Sequence, residues 1–416
     1  MTLHALTADR IVTGDPLRRA GAALVDHVVL TDHAVVVDGA RIVDVCARAD
    51  LPAGVRRTDF PGATIAPGLV DLHMHGMSGQ SFEEATAAEL TSMRADLAAR
   101  GVTSVVPTFI TRPFNELLAA LDRIRPAVEG SPTQPPGCRL LGVHLEGPYL
   151  SPHQRGAHPQ ALLREPSAAD LDALRAFRSV LRIVTIAPEL PGAADFIREI
   201  TSWGVVASVG HSEAGRDDVA AAREAGASHF THLWSGQSSV HRLNRHRVPG
   251  LLEVALSQTG MTAEVIADGP HLPPELLEIA RKCFGDNLCI VSDAVDGAGL
   301  PEGTVFGGDA LPRKVEGGVA VVIGDDCFGG STTLLPQMIT RVVSDLGWPL
   351  AEAWAMGSTT PARVLGMSDR IGALTGGALA DLVVLDPAPR KGNAGPVAVA
   401  ATMIGGDWIH GKPDDA

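Results

Sequence analysis

His73 and His75 stand two apart in the run APGLVDLHMHG, Glu146 closes RLLGVHLEGP, and His211 and His232 end VVASVGHSE and SHFTHLW. Imidazole and carboxylate suit a borderline divalent metal. Alternate residues of a strand point the same way, so His73 and His75 face one side. A pair of hydrogen-bonded strand histidines would explain those two by themselves. Glu146, His211 and His232 shift the balance, because three N/O ligands from three strands suit a catalytic ion that keeps a position open for water. Asp293, in CIVSDAV, is the next candidate. An aspartate after a strand often caps a turn, but a carboxylate close to an activated water can take its proton and later pass it to a leaving group. Each residue taken singly also reads as a satisfied core polar group. Their shared position at the ends of successive apolar runs points to a metal site.

Those ends need a scaffold that brings them together. From about residue 66 to 368, eight apolar runs alternate with Ala/Leu/Arg/Glu-rich segments such as TAAELTSMRADLAARG, SAADLDALRAF and GRDDVAAAREAG. The segments are good helix formers, and glycine often follows them. Eight such alternations fit an α/β fold of the (β/α)₈ barrel type, whose strand ends converge on one mouth. A doubly wound sheet is the alternative, but no glycine-rich phosphate loop follows the first run. His211 and His232 lie one strand–helix repeat apart and therefore belong to adjacent strands. Asp268 and His271 end the seventh run; Thr108 and Glu189, after the second and fourth, have no assigned role.

Both chain ends read as short β elements, with Asp38-Gly39 and Gly405-Gly406 as hairpin turns. The expected division is a small β-sandwich from 1–66 and 369–416 around a barrel from 67–368. The formal net charge is −14 and the isoelectric point is near 5.5, which argues against a general nucleic-acid surface. No secretory signal or membrane-length apolar run is visible. The five cysteines are scattered without a CxxC pair, as in reduced cytoplasmic proteins. We therefore expect a cytoplasmic protein with no nucleic-acid or membrane partner. Only four of the 34 basic residues are lysine, and none precedes Lys282.

The phrases PGLVDLHMHG, LGVHLEGPYLSPHQRGAH, VTIAPE, SVGHSEAG, HFTHLW, IADGPH and VSDAV resemble the amidohydrolase superfamily, most closely its N-acetylglucosamine-6-phosphate deacetylase branch. The resemblance runs from about residue 35 to 410. Many superfamily members bridge two metals with a carboxylated lysine on the fourth strand; the absence of lysine before Lys282 excludes that here, and Glu146 must supply the carboxylate. The resemblance implies that Glu146, His211 and His232 hold one divalent ion, zinc or iron. Some members of the branch hold one ion and others two per subunit; with both His73 and His75 present and Glu146 to bridge, the resemblance implies capacity for a second. Asp293 becomes general base and then acid, and His158, in GAH, binds substrate and polarises its amide carbonyl. As a bare sequence feature, His158 also reads as an exposed loop histidine.

The resemblance also implies a sugar phosphate held by main-chain groups after the sixth strand, by His271, and by Arg247 contributed from the partner of a homodimer. Arg247 lies in HRLNRHR, which on composition alone is a solvated basic loop. Arginine forks match phosphate oxygens. One stretch departs from the family pattern. After His232 the branch reads Phe/Tyr-Asn-Ala-Met, whereas this chain has Leu233-Trp234-Ser235-Gly236-Gln237, placing Ser235 and Gly236 at the phosphate positions. The expected reaction is metal-dependent hydrolysis of an N-acetyl amino sugar phosphate, with N-acetylglucosamine 6-phosphate as leading substrate. The alternatives are a different N-acyl amino sugar or amide, a superfamily deaminase or cyclic-amide hydrolase, and a catalytically dead sensor or assembly subunit.

Overall fold

Eight parallel strands carry the candidate residues: Leu69–Met74 (β1), Val102–Phe109 (β2), Val143–Glu146 (β3), Leu181–Ile186 (β4), Val206–Val209 (β5), His229–Phe230 (β6), Thr262–Ile266 (β7) and Leu288–Val291 (β8). The computed structural model describes residues 3–14, 29–130, 136–308, 311–386, 392 and 398–413. Each strand pairs in parallel with the next, from β1 with β2 to β7 with β8. The ring closes at the mouth, where Asp293 N–H donates to His73 O (2.8 Å) and His75 N–H donates to Ala294 O (2.7 Å). The strands coincide with the eight apolar runs.

A helix follows every strand, from Ala87–Ala99 after β1 to Leu335–Ser344 after β8. Local sequence explains their starts and faces. Thr86 opens the first with a reciprocal cap: its hydroxyl accepts from Glu89 N, and Glu89 Oε2 accepts from Thr86 N. The helix Ala193–Ser202 buries Phe196, Ile197 and Ile200 on one stripe against the strands. No helix among the described residues is long and apolar enough to cross a membrane.

The two chain ends build one mixed eight-stranded sheet beside the barrel. Strand Arg56–Pro67 lies parallel to His4–Val12 and antiparallel to Leu382–Leu385, then feeds into β1. This sheet has its own apolar core around Leu6, Ile11, Val35, Ile65, Leu382 and Met403. Both expected hairpins form: Asp38 pairs with Arg41, and Ile404 with Asp407. The parts of the two end segments at 23–28 and 387–389 lie outside the described residues. Arg139 and Asp381 form an ion pair between barrel and sheet.

One element was not foreseen. Between β8 and the helix that follows it, Val305–Phe306, Arg313–Glu316, Val319–Val322 and Phe328–Ser331 form an antiparallel meander. Gly317 and Gly318, both at positive φ, make its tightest turn. The meander leans over the barrel mouth.

Candidate active site

The ends of β1, β3, β5, β6 and β8 meet in one buried cluster. Glu146 is at its centre. Its Oε1 lies 2.9 Å from His211 Nε2 and 2.8 Å from His232 Nε2, and those two nitrogens are 3.3 Å apart. Its Oε2 lies 3.3 Å from His75 Nε2, 3.5 Å from His73 Nε2 and 3.4 Å from His158 Nε2. Asp293 Oδ1 approaches His75 Nε2 at 3.2 Å and His73 Nε2 at 3.6 Å. All these residues are buried. His73, His75 and Glu146 form one group of metal-ligand geometry, and Glu146, His158 and His211 a second. The second group brings in His158, which the sequence reading had kept for substrate.

Backbone geometry aims two of these side chains. His211 (φ 47°) and Asp293 (φ 45°) both adopt the left-handed conformation two residues past the ends of β5 and β8. That conformation is costly for a residue with a Cβ, and such strain concentrates at functional sites. It turns each side chain off the strand line into the mouth.

Electrostatics inside the cluster are mutual. Burial favours the neutral form of Glu146, but the facing histidines, His73 foremost, hold its carboxyl well below the usual range. Burial lowers His75 as well, yet its bonds to Asp293 and Glu146 outweigh this and raise it to about 9. His73 Nε2 is buried with no hydrogen-bond partner among the described residues while two carboxylates face it. An orphaned imidazole nitrogen among carboxylate oxygens and further imidazoles fits a divalent cation, and the arrangement accommodates two.

His158 is set for another task. Thr111 N–H donates to its Nδ1 (3.3 Å), and the Thr111 hydroxyl is 2.9 Å from the same atom. A backbone N–H only donates, so Nδ1 accepts and the ring proton sits on Nε2, the nitrogen facing the mouth. Burial lowers the pKa of His158 against the opposing pull of Glu146, which keeps the ring a neutral donor.

A cavity of about 210 Å³ opens above the cluster, sized for a small ligand rather than a folded partner. His75, Glu146, His158, His211, His232 and Asp293 form its floor, and Ser235, Gly236 and His271 also line it. His271 Nδ1 is bonded to Asp268 Oδ2 (2.7 Å). Burial lowers the pKa of His271, but Asp268 outweighs this and holds it above the ordinary value, favouring a cationic ring. Gly236 has a steric reason: at φ +58°, a Cβ there would collide with the His211 ring and the Gln154 carbonyl. The alanine of the family pattern has no room here.

Arg247 does not line the cavity of its own chain. It lies on the hairpin His241–Leu243/His246–Val248, whose turn residues Asn244 and Arg245 both have positive φ. Every residue from Ser239 to Arg247 is exposed. Thr108 supports the floor by accepting the Met74 N–H (3.0 Å), and Glu189 accepts from Ser212 beside His211.

Several residues escaped the sequence reading. The meander supplies Leu311, Arg313, Cys327 and Phe328 to the cavity wall. Among the described residues Arg313 is the one lysine or arginine in that wall, paired with Asp296 (2.8 Å). Below the floor, Glu264, His144 and His229 are fully buried. The alternation RKVEGGVAV was the available signal for the meander, and a glutamate inside the apolar run TAEVI was the signal for Glu264.

Comparison with known proteins agrees with this geometry. A model of the amidohydrolase family matches residues 64–409, and a NagA composite domain model matches 25–65. The chain is 33% identical over 322 residues to N-acetylglucosamine-6-phosphate deacetylase of Vibrio furnissii, covering 77% of this chain and 78% of that protein. It is 34% identical over 338 residues to N-acetylgalactosamine-6-phosphate deacetylase of Escherichia coli O157:H7, covering 80% and 87%. A mutant N-acetyl-D-glucosamine-6-phosphate deacetylase of Mycobacterium smegmatis, solved in complex with N-acetyl-D-glucosamine-6-phosphate, superposes with a TM-score of 0.83 at 32% identity, covering 99% and 100%.

Proposed function

The chain belongs to the amidohydrolase family, in its N-acetylglucosamine-6-phosphate deacetylase branch, and from that membership we propose that it hydrolyses N-acetylglucosamine 6-phosphate to glucosamine 6-phosphate and acetate. The coarser statement, a metal-dependent deacetylase of an amino sugar phosphate, follows from the family and the buried His/Glu clusters together. The observation that favours the gluco substrate is the full-length likeness to a relative solved with that compound.

In this reading Glu146, His211 and His232 would hold one divalent ion, and His73 and His75 together with Glu146 would hold a second. The donor set suits zinc or iron(II). When bound, such an ion polarises the acyl oxygen and makes water nucleophilic at neutral pH. Asp293 takes a proton from the attacking water as the new C–O bond forms. It delivers that proton to the departing nitrogen as the C–N bond breaks, leaving carboxylate and free amine. The Nε2–H of His158 donates to the acyl oxygen and stabilises the charge developing there. The His271 ring and the backbone at Ser235–Gly236 receive the phosphate, and Arg247 of a second subunit completes its site in a homodimer.

The galacto epimer is the second reading, supported by the N-acetylgalactosamine-6-phosphate deacetylase relative at 34% identity and by the altered loop at 233–237. Acetate release from metal-replete enzyme decides between them. Turnover of N-acetylglucosamine 6-phosphate at least tenfold above the galacto epimer and unphosphorylated N-acetylglucosamine is the expected result. Faster turnover of the epimer would reassign the substrate.

A further inference from the structure

The interior of a (β/α)₈ barrel is ordinarily filled with branched apolar side chains, yet β7 places Glu264 there at 0% exposure. Removing a carboxylate from water costs several kcal/mol unless charge and hydrogen bonds compensate. Glu264 is compensated on every side. His73 Nδ1–H donates to its Oε2 (3.2 Å), His229 Nε2–H donates to its Oε1 (3.0 Å), and the backbone N–H of His232 donates to Oε2 (3.3 Å). Two of these three contacts go to residues whose other atoms face Glu146.

The four histidines of the proposed metal site are backed unequally. His211 Nδ1 meets a neutral carbonyl, that of Gln154, at 2.8 Å. His75 Nδ1 and His232 Nδ1 have no hydrogen-bond partner among the described residues. Among the described residues, only His73 is backed at its Nδ1 by a carboxylate. An ionised carboxylate solely accepts, so this bond fixes the His73 proton on Nδ1 and leaves the Nε2 lone pair aimed at Glu146 and Asp293. A metal-ligating imidazole backed by a carboxylate is held in orientation and made more basic.

We propose that Glu264 is the positioning residue for His73, and that through it the barrel interior sets the affinity of the His73/His75 ion separately from that of the Glu146/His211/His232 ion. The proposal rests on the two-ion reading of the site. A neutral side chain at 264 therefore weakens one ion and leaves the other in place. The same contact to the His232 N–H locks β6 against β7, so the removal of shape must be separated from the removal of charge. Glu264→Gln keeps the shape and one acceptor oxygen.

Chelator-stripped wild type and Glu264→Gln are titrated with Co²⁺, with bound cobalt measured directly and by its visible absorption. Thermal melting of both stripped proteins is recorded alongside. Wild type is expected to take two equivalents. The variant takes one with unchanged affinity and the second with affinity about 10- to 100-fold lower, recovered at high Co²⁺, while the stripped proteins melt within a few degrees of each other. Two equivalents of wild-type affinity in the variant overturn the role of Glu264. One equivalent in wild type itself overturns the two-ion reading, and the proposal with it, and is distinguished because it needs no variant. If Glu264→Gln does not fold, the zinc-loaded wild type carries the test by NMR. A slowly exchanging imidazole N–H that vanishes in His73→Asn is expected, and its absence contradicts the His73–Glu264 bond.

Discussion

The floor of the cavity and its rim are built on opposite principles. On the floor, Glu146, Asp293 and four histidines are locked against one another and against His73 beneath them, and none is more than 8% exposed. At the rim, the loop 233–237 departs from its family and the meander joins on from outside the barrel repeat, while the Arg247 hairpin stands in solvent away from the cavity of its own chain. Bond-breaking chemistry requires fixed distances among ionisable groups, which a barrel interior supplies. Substrate choice requires a surface that can change without disturbing them. Gly236 is where the two meet, since its backbone belongs to the rim loop and its missing side chain makes room for His211.

That contrast predicts different kinetic signatures. Asp293→Asn should lower kcat on the order of 10³-fold at nearly unchanged KM, with metal still bound; a loss confined to KM would move Asp293 out of proton transfer. Arg247→Ala should raise KM for the phosphorylated substrate by about 10- to 100-fold, the value of one or two charge-assisted hydrogen bonds, and spare the unphosphorylated analogue. Equal effects on both would remove Arg247 from the phosphate site. Gly236→Ala, a rim substitution that presses on the floor, should weaken metal affinity by about tenfold through displaced His211. Unchanged affinity would show that the loop yields instead. The smallest effect concerns His271. Its folded pKa lies above the ordinary value because Asp268 outweighs burial, so the ring is cationic below that pKa and loses its charge as pH rises through it. KM for the phosphorylated substrate should climb a few-fold over that interval, and a flat profile that matches His271→Asn would deny the ring a charged role.

The same contrast explains what the sequence revealed. Barrel strands were legible because each apolar run ends in a polar residue at a turn, and the ends of β1, β3, β5, β6 and β8 hold the cluster. His73 and His75 were readable as a pair because strand periodicity alone puts them on one side. Glu264, His144 and His229 were not, since they interrupt apolar runs rather than end them, and only the fold shows that they lie under the mouth. The meander was missed because the eight-fold repeat encouraged a direct passage from β8 to its helix, although RKVEGGVAV carries a hairpin alternation. Arg313 was lost with it. Arg247 was legible as charge but not as geometry, because its exposed hairpin makes no contact with the cavity of its own chain.

The central claim is that the buried Glu146 cluster works by holding divalent metal. Acetate release from N-acetylglucosamine 6-phosphate should be followed as chelator-stripped protein is titrated with zinc or iron(II). Turnover absent from the stripped protein and restored in proportion to bound metal is the predicted result. Full turnover by protein shown to contain no metal would contradict the account, and the His73–Glu146–Asp293 arrangement would then need another chemistry.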